Sequence, residues 1–252
     1  MTAEEIIRIS ELLPTSLGSE ELRRTVAADI LRQSIFSARM ESARYLMQVR
    51  ETCAAMVSGA IDRATAVAQL TDHLAQMGHS PLDGGGLTNP AARRRLNLIL
   101  ETRTEMAAAA ARVNGQTAGT VYAYPAWELT RFEKRDEPRK WWDRWQAAGE
   151  AVAWEGVVRD FGRMIALKSS PIWAALGRGA GGYRDTLGNP FPPFAFGSGM
   201  DWLGVDRETC VRLGLIGENE HPPMPAPAMM APGGKARLEA LQRTGFDLAR
   251  GL

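Results

Sequence analysis

The sequence predicts a mainly α (α+β) protein: an N-terminal helical bundle, a long central helix, a small Trp-rich α+β module and a tethered C-terminal helix. Three observations carry this. Apolar residues recur at three-to-four spacing through most of residues 1–78. A helix signal runs without a break from Asn89-Pro90 to Asn114-Gly115. All seven tryptophans lie between Trp127 and Trp202, where short β-like patterns alternate with helical ones. The organisation that follows is a helical region over 1–78, a Gly-rich hinge over 79–88, the long helix plus compact module over 89–216, a Pro-rich linker over 217–234 and a C-terminal helix over 235–252.

Each element has its own reason. Glu4 to Leu13 is a short amphipathic segment stopped by Pro14. Ser19 is a good N-cap, and Glu20 and Glu21 suit the positive end of the helix it opens. Leu22, Val26, Ile30, Leu31, Ile35 and Phe36 then mark one helical face, continued by Ala43, Leu46, Met47, Val49, Cys53 and Val57. Asp62 caps a further helix carrying Ala66, Val67, Leu70 and Leu74, and Gly78 ends it. Short connections make these three or four helices an antiparallel bundle. The long helix has Asn89 as N-cap and Pro90 at its first position. Its alanines 107 to 111 allow close approach of a neighbouring helix or chain. TVYAY and WELTRFEK read as β-like. RKWWDRWQAAGEAV reads as a helix after Pro138, and GRMIALKSSPIWAALG as strand, turn and short helix. The following Gly-, Pro- and aromatic-rich stretch reads as irregular but packed, and Asp206 caps a short helix ended by Gly214. Five prolines between Pro222 and Pro232 read as an extended linker. The last helix carries Leu238, Leu241 and Phe246 on one side, a face for a partner or another subunit.

Composition excludes several classes. The chain has 252 residues, 30 basic and 29 acidic, for a net charge of +1. A protein that neutralises many phosphates usually has a clear basic excess, so a dedicated nucleic-acid binder is disfavoured. Charge is nonetheless segregated, with net −3 over residues 1–88 and net +4 over 89–216. No run of about 18 apolar residues predicts a membrane span. The acidic start MTAEEIIRISELL has no secretory apolar core. Cys53 and Cys210 are far apart and read as buried small apolar residues. No Cys/His spacing suits zinc, and His73, His79 and His221 have no partner at metal or triad spacing.

The residues that could carry chemistry are few. Glu101 and Glu105 are one helical turn apart with Arg103 between, a pair that can hold a metal or act as acid and base, and more often is a solvated face. The run Arg93, Arg94, Arg95 at a helix start can touch phosphate and is a candidate DNA contact. Trp141, Trp142 and Trp145, near Arg139, Lys140 and Arg144, offer a stacking or partner-binding surface beside the plainer reading as core. Ser198 sits in Gly-Ser-Gly without the strand and helix of a nucleophile elbow. The glycines 84–86 lack the Lys and Ser/Thr of a phosphate loop. No catalytic residue, metal ligand or cofactor site is expected.

The order of segments resembles the minor head, or head morphogenesis, proteins of tailed bacteriophages, the Mu-F-like group. The long helix reads Leu98-Ile99-Leu100-Glu101-Thr102-Arg103-Thr104-Glu105-Met106-Ala107. The module opens with Pro125-Ala126-Trp127-Glu128-Leu129 and continues through Pro138-Arg139-Lys140-Trp141. Then come Gly162-Arg163-Met164-Ile165-Ala166-Leu167-Lys168 and Ser170-Pro171-Ile172-Trp173. It closes with Phe191-Pro192-Pro193-Phe194 and Gly197-Ser198-Gly199-Met200. The resemblance spans roughly residues 20–216. Many members end in a His-Pro-Asn-Cys-Arg-Cys-like segment that this chain lacks, so no metal or redox role is implied there. What the resemblance implies is a non-enzymatic virion component of the phage head, made in the host cytoplasm. It would act at the portal vertex with portal and/or capsid proteins, with packaged DNA as a further contact and no membrane partner. The alternative class is a metal-dependent nucleic-acid-processing enzyme using Glu101 and Glu105.

Overall fold

The computed structural model describes residues 1–82, 86–134, 137–154 and 162–228. Helix dominates at 48% against 11% strand, the mainly α (α+β) class expected from the sequence. The described chain forms two compact units, Met1–Ala111 and Arg112–Ala228. The division falls inside the long helix, and residues 83–85 of the expected hinge lie outside the described residues.

The first unit opens with α1 (Ala3–Ile9), held by a capping box between Thr2 and Glu5. It is shorter than expected. The Ser10 hydroxyl turns back to the Ile6 carbonyl at 2.9 Å, and Glu11–Leu12 leave as β1, parallel to β2 (Ser34–Ile35). The expected continuous helical face from Leu22 to Val57 is also broken. It becomes α2 (Ser19–Thr25), α3 (Ala28–Gln33), β2 and α4 (Ala43–Val57), with Val26 and Ser34 in extended backbone. The apolar spacing is still satisfied, because Leu22, Val26 and Leu31 meet Leu13 in one small core. Ser19 is the first helical residue rather than the cap. α5 (Arg63–Gln76) starts as expected, with Asp62 accepting from the Thr65 N–H at 2.7 Å. Gly78, at φ +85°, ends that helical run. α4 packs against both α1 and α5.

α6 (Arg93–Asn114) begins three residues after Pro90. Asn89 uses its side chain first for a turn of its own, accepting from the Ala91 N–H at 2.8 Å. Along α6, Leu96, Leu100, Arg103, Ala107 and Ala110 are buried at spacings of four and three. Two arginines share this buried side. Arg95 donates to the carbonyls of Leu87 (3.3 Å) and Thr88 (3.0 Å), to the Ser37 hydroxyl (2.7 Å) and to the Ala38 carbonyl. Arg103 donates to the Leu31 carbonyl at 3.3 Å and lies 4.4 Å over the Phe36 ring. Among the described residues neither has a carboxylate partner. Burial lowers the Arg103 guanidinium to about 10 and lowers Arg95 as well. Backbone carbonyls stand in for a counter-ion and bind residues 31–38 to the helix.

The second unit contains α7 (Ala118–Ala123), β3 (Ala126–Arg131), α8 (Trp141–Ala151), β4 (Met164–Leu167), α9 (Ile172–Gly177), β5 (Met200–Val205) and α10 (Arg207–Arg212). TVYAY is thus helical and not β-like: the capping box between Thr117 and Thr120 decides it. The sheet is antiparallel in the order β4-β3-β5. Its register sets two faces. Trp127 lies opposite Ala166 and Gly204, and Leu129 opposite Met164 and Trp202. On the other face Ala126 lies opposite Leu167 and Val205, packed with Cys210 and Ile216. Among the described residues no helix is long and apolar enough to cross a membrane.

Arg95→Ala removes four hydrogen bonds and leaves buried acceptors unpaired. It is expected to cost on the order of 3 kcal/mol in urea unfolding, and Arg95→Lys to recover only a minority, since one ammonium cannot span acceptors from two segments.

Candidate functional site

The most densely built part of the molecule is the aromatic core of the second unit. Trp127 on β3 stacks on Trp202 of β5, with centroids 3.8 Å apart and planes 10° apart. They are diagonal neighbours on one sheet face, so the register makes this pair. Trp173 on α9 meets both edge-on, at 6.3 and 5.0 Å. It also meets Trp145 at 5.2 Å and lies parallel to Phe194 at 6.2 Å. Trp154 closes on Trp145, and Trp141 on Phe194. Six of the seven tryptophans therefore form one contiguous cluster, with an indole N–H anchored where Trp173 donates to the Leu167 carbonyl at 2.9 Å. Each such ring buries about 150–250 Å², or roughly 4–6 kcal/mol of transfer free energy.

This placement decides the surface expected at α8. Trp141 and Trp145 are 4% and 1% exposed and face the core together with Ala148. Their partner-binding role is corrected to packing, because i and i+4 on a helix share one side. Trp142 is half-buried and stands outside the ring network.

The start of α8 is tied to the irregular chain that follows α9. Arg144 grips Asp185 with two bonds of 2.8 and 3.0 Å, and Arg139 adds a third at 2.8 Å. Burial pushes the Asp185 carboxyl up, but the Arg144 bonds and both guanidinium charges outweigh it and hold it below the usual range. Arg139 also donates to the carbonyls of Phe196 (2.8 Å) and Gly197 (3.1 Å). The Phe-Pro-Pro-Phe segment is core: Phe191 and Phe194 are fully buried, and Asn189 donates to the Pro193 carbonyl at 3.0 Å. A Cβ on Gly177 would sit 1.7 Å from the Asn189 carbonyl oxygen, so only glycine fits there. The Ser198 hydroxyl is buried and accepts from the Met200 N–H, a turn role.

One buried charge at this core escaped the sequence reading. Lys168 follows β4 and is 6% exposed. Its Nζ donates to Gln116 Oε1 at 2.6 Å and lies 5.5 Å from the Trp127 ring centroid. Burial brings the ammonium down to about 8. Its only sequence signal is its place at the end of the strand in Arg163–Lys168. Burial pushes the thiols of Cys53 and Cys210 up to about 12 and about 11, and both are free, as small apolar core residues.

Of the other expected residues the arginine run separates, whereas Glu101 and Glu105 stay together with carboxylate oxygens within 4.8 Å of one another. Arg93 and Arg94 are exposed and remain at the surface. Arg95 is 7% exposed and spent on backbone carbonyls, so it is corrected from a DNA contact to an internal clamp. Consecutive helix positions differ by about 100°, so the three could not share one surface. Glu101 and Glu105 are half-buried, and Glu101 pairs with Arg63 at 3.0 Å. Arg103 points inward to Leu31, away from any acid–base role. Lys140 is exposed at the start of α8. Leu238, Leu241 and Phe246 lie outside the described residues.

Two outcomes are expected. Trp173→Ala costs about 4 kcal/mol in denaturant unfolding, whereas Trp142→Ala costs under about 1 kcal/mol. Lys168 holds its proton more weakly folded (about 8) than unfolded (10.5), so between those values the unfolded chain binds more protons. Its contribution to stability therefore rises as pH climbs from 8 toward 10.5, and Lys168→Met flattens the profile relative to wild type in pH-dependent unfolding. A pair of parallel profiles would refute this.

Comparison with known proteins gives no likeness to reason from: no protein-family model, no curated protein and no solved structure matches the chain.

Proposed function

We propose that this chain is a non-enzymatic structural protein of a tailed-phage virion, a minor head component of the portal vertex that assists head assembly or DNA packaging. One observation carries the reading. The module segments that resemble the head morphogenesis proteins are scattered over residues 125–200, and they supply one core: Trp127, Trp141, Trp173, Phe191, Phe194 and Met200 are all buried in the same unit. A signature made of packing residues is what an assembly module requires. An enzyme's signature would instead contain groups left free to react. Three of the chemistry-bearing side chains among these segments are committed to structure, Arg139 to Asp185 and two carbonyls, Ser198 to a turn and Lys168 to Gln116, whereas Lys140 is exposed.

Portal and/or capsid subunits are the partners under this reading, with packaged DNA a further contact through exposed Arg93 and Arg94. Its place is the phage head. Glu101, the lead residue of the enzymatic alternative, is already engaged by Arg63, which favours the structural role.

The test is size-exclusion chromatography with light scattering, with and without the portal protein co-expressed from the same genome. Co-elution in a defined large complex is expected. A monomer that ignores the portal would overturn the proposal. In parallel, Mg²⁺ or Mn²⁺ is expected to leave the melting temperature unchanged. A metal-linked rise that Glu101→Ala and Glu105→Ala abolish would favour the enzyme instead.

A further inference from the structure

The sequence presents residues 217–234 as a free linker, yet its first two thirds are fastened to the second unit at three points. The first is Arg207, at the start of α10. Its Nε donates to the Glu218 carbonyl at 3.2 Å. Its Nη2 donates to the carbonyls of Gly217 (3.2 Å), Glu218 (2.5 Å) and Glu220 (2.8 Å). The bend it grips is itself closed, since the Gly217 N–H donates to Glu220 Oε2 at 2.9 Å and the Glu220 N–H to the Gly217 carbonyl at 3.2 Å. The second point is Tyr122 on α7. The Arg207 guanidinium lies 4.1 Å from the Tyr122 ring centroid, and the His221 ring contacts the same ring at 5.0 Å. The third is the far end, where the Ala228 N–H donates to Asn114 Oδ1 at 2.9 Å and Ala228 is 5% exposed. Asn114 is the last residue of α6.

We propose that residues 217–228 are a latched strap, with Arg207 as the latch and Tyr122 and Asn114 as its seats. A guanidinium presents several donors in one plane, so a single side chain can gather three carbonyls of one bend while stacking on a ring. Prolines suit such a strap for the same reason that they suit a linker: their backbone is already extended, so little entropy is lost on docking. The device sets reach. The twelve residues from 217 to 228, if free, could extend about 40 Å. Releasing both the latch and the Asn114 seat frees that length of chain and further exposes Tyr122. The inference stands on these contacts alone and is independent of the virion reading.

Amide hydrogen exchange on the full chain, read at Gly217, Glu220 and Ala228, tests it. These amides are expected to exchange at least about tenfold more slowly than in an unstructured peptide. Arg207→Ala should bring Gly217 and Glu220 to the unstructured rate, while the amides of β3 stay protected. Asn114→Ala should release Ala228 alone. Wild-type amides at the unstructured rate, or protection unchanged in Arg207→Ala, would overturn the proposal. If Arg207→Ala also exposes β3, Tyr122→Ala decides: loss of protection at 217–220 with β3 intact supports the strap, and retained protection there sinks it.

Discussion

The second unit depends on one constraint, the stacking of Trp127 on Trp202 across the β3–β5 register. Only a fixed register puts these rings on one face as diagonal neighbours, and a slip of one residue between β3 and β5 would put them on opposite faces. Gly204, directly opposite Trp127, leaves the space above β5 in which the Tyr124 ring lies. Once the stack exists, Trp173 has two flat surfaces to meet edge-on, and α9 is placed. Trp173 in turn places Trp145 and hence α8, and Phe194 and hence the Pro-rich loop. The Arg139–Asp185–Arg144 clamp then secures on the rim what the rings set in the centre.

The first unit solves a different problem. Its helices are short, and two of its connecting segments carry carbonyls that no ladder satisfies. Arg95 enters the core to satisfy them, and Arg103 adds a bond to the Leu31 carbonyl of α3, which also accepts from the Ser34 N–H. A buried guanidinium is costly to desolvate, and a carbonyl lacks the full charge of a carboxylate. Three carbonyls and a hydroxyl share Arg95, and one carbonyl and the Phe36 ring share Arg103. Such an arrangement is specific: a packed apolar residue could fill the volume and would not tell residues 31–38 where to lie.

Much of this was legible in the sequence. Asp62, Gly78 and Asp206 act as the caps and stops their types predict, and the fold class follows from apolar spacing and the placement of tryptophan. The misses share a cause. Periodicity reports which residues are buried and not how many elements bury them, so Leu22 to Val57 read as one face although the chain turns at Val26 and again at Ser34. TVYAY has strand-forming residues, but two threonines three apart build a local cap that outweighs them. β5 was hidden because its neighbours are glycines and prolines. Arg103 could have been placed: it falls in the stripe of Leu96, Leu100, Ala107 and Ala110, where a charge must be internal. Trp141 and Trp145 share a helix side in the same way. Lys168 gave no such pattern, because its burial comes from Gln116 and Trp127 in other elements.

The confinement of all seven tryptophans to residues 127–202 gives the molecule a built-in optical partition. Residues 1–111 contain a single tyrosine, Tyr45, and no tryptophan. Indole emission therefore belongs entirely to the second unit. With six indoles linked through ring contacts, excitation absorbed by one is shared among neighbours and leaves through whichever has the lowest-energy environment. The emission of these six behaves as one chromophore beside the separate Trp142, while the first unit is dark at indole wavelengths.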